Sequence, residues 1–145
     1  MPRIMKSLNN ISRCQAIYRS NNLECDGICP VHHTFIFAIC RNPGSSQEEL
    51  AQEICISKST VTRTLGYLEE RGYITRKATP KDKRQFEVYP TEKMLAILPR
   101  ICEISQEWNR LISEGVSEEE MAVFDSVLKR MEESAKRLAD GRNAK

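Results

Sequence analysis

The stretch from Gln47 to Tyr89, QEELAQEICISKSTVTRTLGYLEERGYITRKATPKDKRQFEVY, limits the folds open to this chain more than any other. Ser46-x-x-Glu49 is a capping box, in which each side chain satisfies a backbone donor of the other's residue, so a helix starts here. Leu50, Ala51 and Ile54 give that helix a buried face. Cys55-Ile56 reads as a turn, and Ser57 or Ser59 caps a second helix. Val61, Leu65 and Leu68 stand at i, i+4 and i+7 and face a core. Gly72 suits the left-handed position that ends a helix. Tyr73–Lys77 and Phe86–Tyr89 are β-branched or aromatic segments on either side of ATPKDKRQ, the pattern of a β-hairpin. Two short helices at a tight turn, followed by a hairpin, predict a mainly α fold with a small β-hairpin wing: a winged helix–turn–helix.

Helices flank this unit. Ile4, Leu8, Ile11, Cys14 or Gln15, and Tyr18 recur at steps of three and four, so Ile4 to Asn22 is amphipathic and must bury its stripe in its own core or against a partner. After the break NNLECDGICP, a helix from about Val31 to Arg41 turns Val31, Phe35, Ile36, Ile39 and Cys40 inward. Asn42-Pro43-Gly44 ends it. Thr91 caps a long helix reaching about Ser113, with a kink or interruption expected at Pro99. Gly115 breaks the chain, and Ser117-x-x-Glu120 opens a final helix. Met121, Phe124, Leu128, Met131, Ala135 and Leu138 give that helix a heptad seam. The division expected is residues 1–29 for an N-terminal dimerisation helix and linker, 30–90 for the winged unit, and 91–145 for C-terminal dimerisation helices.

Composition narrows the function. The chain has 145 residues, 40% hydrophobic and 29% charged, which fits one globular domain. Its net charge of +2 is unevenly spread: Lys58 to Arg84 holds eight bases against three acids, and Glu103 to Asp140 holds ten acids against five bases. A positive field gathered on one region is what a nucleic-acid binder carries. No segment approaches the ~20 apolar residues of a membrane helix, and the N-terminus lacks the apolar run of a secretory signal. A cytoplasmic protein away from membranes is expected, with its six cysteines reduced.

Reading double-stranded DNA requires polar side chains that the core does not consume. Ser59, Thr60, Thr62 and Arg63 lie on the outer face of the second helix. Arg63 is the expected base-edge reader, since arginine bonds guanine bidentately. Lys58, with the Ser57 and Ser59 hydroxyls at the helix N-terminus, is placed to grip phosphate. Arg76, Lys77, Lys81, Lys83 and Arg84 cluster around the hairpin turn. Asp82 is expected to stiffen that turn, and Arg84 at its tip suits a narrow minor groove. The expected DNA contacts are Ser57, Lys58, Ser59, Thr60, Thr62, Arg63, Arg76, Lys81, Lys83 and Arg84.

The run LAQEICISKSTVTRTLGYLEERGYITRKATPKDKRQFEVYPTEK resembles the MarR family of bacterial transcriptional regulators. The likeness covers both helices, the glycine after the second one, the Asp82-Lys83-Arg84 wing motif of the D-x-R type and the Thr91-Glu92-Lys93 helix start. Met94 departs from it, standing where the family usually has glycine. The resemblance implies a homodimer with interlocked N- and C-terminal helices. Its two winged units would meet successive major grooves of a near-palindromic operator. It also implies control by a small-molecule effector or by oxidation where the dimerisation and DNA-binding parts join.

For such an effector, Tyr18, His33 and Phe37 are the expected lining of an apolar crevice between helices. Ordinary core packing explains the same residues. Cys14-x-x-x-Tyr18 resembles the position of the reactive cysteine in the peroxide-sensing branch, making Cys14 the redox candidate. That branch adds further tyrosines, whereas Ile28 and Cys29 precede Pro30 here. Cys25-x3-Cys29 with His32-His33 offers soft ligands, but Pro30 intervenes and the spacing fits no standard zinc motif. No metal or cofactor is expected, and no phosphate loop or nucleophile motif points to an enzyme. Two alternatives stay open: a cysteine-based redox regulator of the same fold, and a helical protein-interaction module that binds no DNA.

Overall fold

A computed structural model describes residues 3–23 and 27–139. Cys25 and the last six residues lie outside that range. Six helices and three short strands follow in the order α1 (Arg3–Asn22), α2 (Pro30–Arg41), β1 (Ser45–Ser46), α3 (Gln47–Ile54), α4 (Lys58–Glu70), β2 (Ile74–Ala78), β3 (Phe86–Pro90), α5 (Glu92–Ile112) and α6 (Glu118–Ala139). The chain forms two compact units, residues 1–109 and 110–145.

The first unit holds the core. Phe35, Ile36 and Ile39 of α2, Leu50 of α3, and Val61, Leu65 and Leu68 of α4 are fully buried, with Tyr73, Ile74, Val88, Met94 and Ile101 completing the cluster. Local features at both ends of α3 set how it joins its neighbours. Ser46 caps α3: its hydroxyl accepts from the Glu49 N–H at 3.2 Å, and the Glu49 carboxylate accepts from the Ser46 N–H at 2.7 Å. These bonds hold the Glu49 carboxyl below the usual carboxylate range. Cys55 then takes a left-handed conformation, φ 59°, to close α3, so the chain can turn directly into α4.

Three details differ from the sequence reading. First, the wing is not a lone hairpin. β1 pairs with β3 through Ser45–Val88 and Ser46–Glu87, giving an antiparallel sheet in the order β1-β3-β2. Second, Val31 is 55% exposed, while its neighbours His32 and His33 are buried. Successive residues point about 100° apart around a helix, so the side of α2 that buries His32 and His33 leaves Val31 outside. Third, α5 runs through Pro99 without interruption. Pro99 and Leu95, whose carbonyl loses its usual partner, are both exposed, where water can take up that bond.

Thr91 does cap α5, and its hydroxyl also bonds the carbonyls of Gly72 and Tyr73, tying the end of the reading helix to the end of the sheet. None of the α1 residues is buried, and Ile4 and Ile11 of its stripe are exposed. In the second unit, α6 starts at the Ser117–Glu120 capping box. Its seam residues Met121, Phe124, Met131 and Leu138 are exposed. No helix among the described residues is long and apolar enough to cross a membrane.

Candidate nucleic-acid interface

The helix expected to read DNA is α4. Of the two serines available as its cap, Ser57 holds the position, accepting from the Thr60 N–H at 3.3 Å. Val61, Thr64, Leu65 and Leu68 turn inward. That leaves Ser59, Thr62 and Arg63 exposed on the other side, with Thr60 half-buried. Arg63 makes no ion pair among the described residues. Lys58 and Thr62 are engaged by the first turn of α3: Lys58 Nζ lies 2.8 Å from Glu48 Oε1, and Thr62 Oγ1 is 3.1 Å from Gln47 Oε1.

The wing owes its shape to local hydrogen bonds. Asp82 Oδ1 accepts from the Arg84 N–H at 2.9 Å, and the Asp82 carbonyl accepts from the Thr79 hydroxyl and the Gln85 N–H. One bond to the Asp82 carboxylate and two to its carbonyl thus lie within the turn where a stiffening role is expected of it. Lys81, Lys83 and Arg84 stand exposed on that turn. Arg76 is different: on β2 it bonds the Glu69 carboxylate of α4, with Nε at 2.9 Å. The same bonds hold the Glu69 carboxyl below its ordinary range. Arg76 therefore locks the wing to the reading helix besides adding charge to the face.

Between wing and helices runs a groove of about 430 Å³ lined by Lys58, Thr62, Arg76 and Arg84, with Gln47 and Glu48 of α3. Gln85 and Phe86 close its wing side. Four of the residues expected from the sequence thus meet around one depression. Ser57, Ser59, Thr60 and Arg63 lie along α4, and Lys81 and Lys83 lie on the loop. Gln47 and Glu48 also line the groove without having been expected there, because a polar residue in the first turn of a helix is ordinarily a cap partner. Glu49 already fills that role, which was the signal that Glu48 was spare.

The residues expected to line an effector crevice fall in the region where α1, α2 and α5 meet. Tyr18 packs on Trp108 with ring centroids 5.3 Å apart, and Phe37 is half-buried against the core. His33 is fully buried and neither ring nitrogen has a hydrogen-bond partner among the described residues; Arg19 Nε and Ser105 Oγ share that condition. Burial, then the charges of Arg19 and His32, push the His33 pKa down to about 4. His32 is lowered too, by burial first, against a bond to Gly27 that raises it and the Arg71 charge that lowers it. Cys14 is exposed on α1. Among the described residues no group of three or more His, Cys, Asp or Glu side chains could hold a metal ion.

The depressed His33 pKa sets a pH dependence. A histidine held neutral in the fold but free to protonate when unfolded contributes stability above its unfolded pKa of 6.5. That contribution is lost as pH falls towards about 4. At most the loss is about 1.4 kcal/mol per pH unit for one group. Chemical denaturation at pH 5 and pH 7 should show less acid destabilisation in His33→Leu than in the parent. Equal acid sensitivity would place its source elsewhere.

A reading helix on a helix–turn–helix, with a three-stranded wing held against it, defines a winged helix–turn–helix protein. Residues 26–85 match the model of the MarR family. The chain is 28% identical over 106 residues to a Thauera aromatica protein assigned to regulation of the hcr operon, an alignment covering 73% of this chain but only 64% of that relative. It superposes on the transcriptional regulator SlyA with a TM-score of 0.91 at 25% identity, over 97% of this chain and 99% of that one. A Listeria monocytogenes protein of MarR type, crystallised with a 26mer DNA, shares the fold with a TM-score of 0.83 at 22% identity, over 100% of this chain and 98% of that one. Residues 26–85 thus match the MarR family, and the whole described chain shares the fold of solved transcriptional regulators of that type.

Proposed function

We propose that the chain is a double-stranded DNA-binding repressor, acting as a cytoplasmic homodimer on a near-palindromic operator and responsive to a small effector. The observation that carries this reading is the convergence of Lys58, Thr62, Arg76 and Arg84 on one groove beside the exposed face of α4. Arg63 reads base edges in the major groove, Ser57, Lys58, Ser59 and Thr60 grip phosphate at the helix N-terminus, and Arg84 enters the minor groove. Lys81 and Lys83 add backbone contacts. The apolar faces of α1 and α6 support a dimer, because a monomer rarely leaves so much apolar surface open. Two copies would then present two reading helices to half-sites about one DNA turn apart, roughly 34 Å.

The polar atoms of Arg19, His33 and Ser105 that lack partners support an effector site, since a buried polar group left unpaired is costly until something bonds it. Selection of bound fragments from the source genome supplies the operator. Fluorescence anisotropy on that duplex should then show affinity falling steeply with salt as counterions are released. Absence of salt-dependent duplex binding would favour a protein-interaction module instead.

A further inference from the structure

We infer that Glu48 is an internal competitor for the phosphate that Lys58 grips, and that it holds down affinity for DNA of any sequence. This rests on the DNA-binding reading above. Its basis is a contact that serves no evident structural need. Glu48 and Lys58 pair at 2.8 Å across the helix–turn–helix, yet both side chains are largely exposed, at 62% and 74%. Exposed pairs of this kind add little to stability. Nor is the Glu48 carboxylate needed to cap α3, because Ser46 and Glu49 already satisfy each other there. The pair instead lies in the groove shared with Arg76 and Arg84.

The chemistry of that placement is direct. A carboxylate oxygen on the Lys58 ammonium makes the bond that a phosphate oxygen would make. A phosphate arriving at the start of α4 must share Lys58 with Glu48 and meets the carboxylate's repulsion in the same groove. The Thr62 hydroxyl is engaged as well, lying 2.9 Å from the Lys58 carbonyl and 3.1 Å from Gln47 Oε1. The penalty falls on backbone contacts, which supply nearly all the affinity for random sequence. A genome offers very many competing random sites, so restrained backbone binding leaves more protein available for an operator recognised through base contacts.

The test uses the full chain and a random-sequence duplex, titrated by anisotropy across a salt series. Glu48→Gln should bind about fivefold more tightly at low salt, the most that an exposed ion pair of this kind ordinarily supplies. Its plot of log affinity against log salt should steepen by about 0.9, one further phosphate neutralised. In a Lys58→Ala background the same substitution should lose most of that gain. Glu48→Ala repeats the test should the glutamine variant melt early. Parental affinity and slope in the Glu48 variants would overturn the inference, as would an undiminished gain without Lys58, which would mark a general charge effect. If the parent chain itself binds no duplex, the DNA-binding reading fails first and this inference with it.

Discussion

Replacing Arg84 with alanine weakens binding to the operator duplex by about 1–3 kcal/mol and lowers the salt slope by about one. The size of the effect follows from how the residue is held. The Asp82 carboxylate fixes the Arg84 backbone N–H at 2.9 Å, and Thr79 and Gln85 bond the Asp82 carbonyl, so the wing turn is ordered without using the guanidinium. A charge presented on a pre-formed turn costs little ordering when it binds. Arg76, by contrast, already bonds Glu69, and Lys58 already bonds Glu48. Of the three cations lining the groove, Arg84 alone has no such partner among the described residues. Anisotropy titrations of parent and variant from low to physiological salt measure both quantities. Parental affinity across the whole series would remove the wing from the mechanism.

That contrast among the three cations also marks where the sequence stops being informative. Val61, Leu65 and Leu68 announce α4 by spacing, the two capping boxes fix the starts of α3 and α6, and Gly72 stops α4 with φ 75°. Asp82 bonds groups two or three residues along the chain in the wing turn. All of these are local, and local chemistry can be read from order alone. The pairing of Ser45 and Ser46 with Val88 and Glu87 cannot, since two serines carry no strand signal and their partners are about forty residues away. Val31 misled, since this apolar residue lies on the open side of α2, whereas His33 is buried as its place in an apolar crevice or core implied. The pairs Glu48–Lys58 and Glu69–Arg76 likewise depend on where separate elements meet. A count of charges therefore overstated how many cations on this face are free.

The other large effect lies on α6. If the chain is the homodimer proposed, Phe124→Glu should leave it monomeric at micromolar concentration and reduce operator affinity by at least about a hundredfold. Asp125–Lys129 and Glu132–Lys136 are ion pairs one turn apart that support the helix on its own. The seam residues Met121, Phe124 and Met131 are exposed on that helix, Phe124 at 52%. Burying a phenylalanine contributes about 1.5–3 kcal/mol, and a two-fold interface counts each substitution twice. Glutamate forfeits this and adds a carboxylate to be desolvated. DNA affinity follows because a dimer binds its second half-site at the high effective concentration set by the first, an advantage of about 10²–10⁴ that a monomer lacks. Sedimentation velocity reads the mass and anisotropy reads the affinity. A variant that stays dimeric would remove α6 from the interface. One that becomes monomeric yet binds the operator as tightly as the parent would mean that each winged unit reads DNA alone.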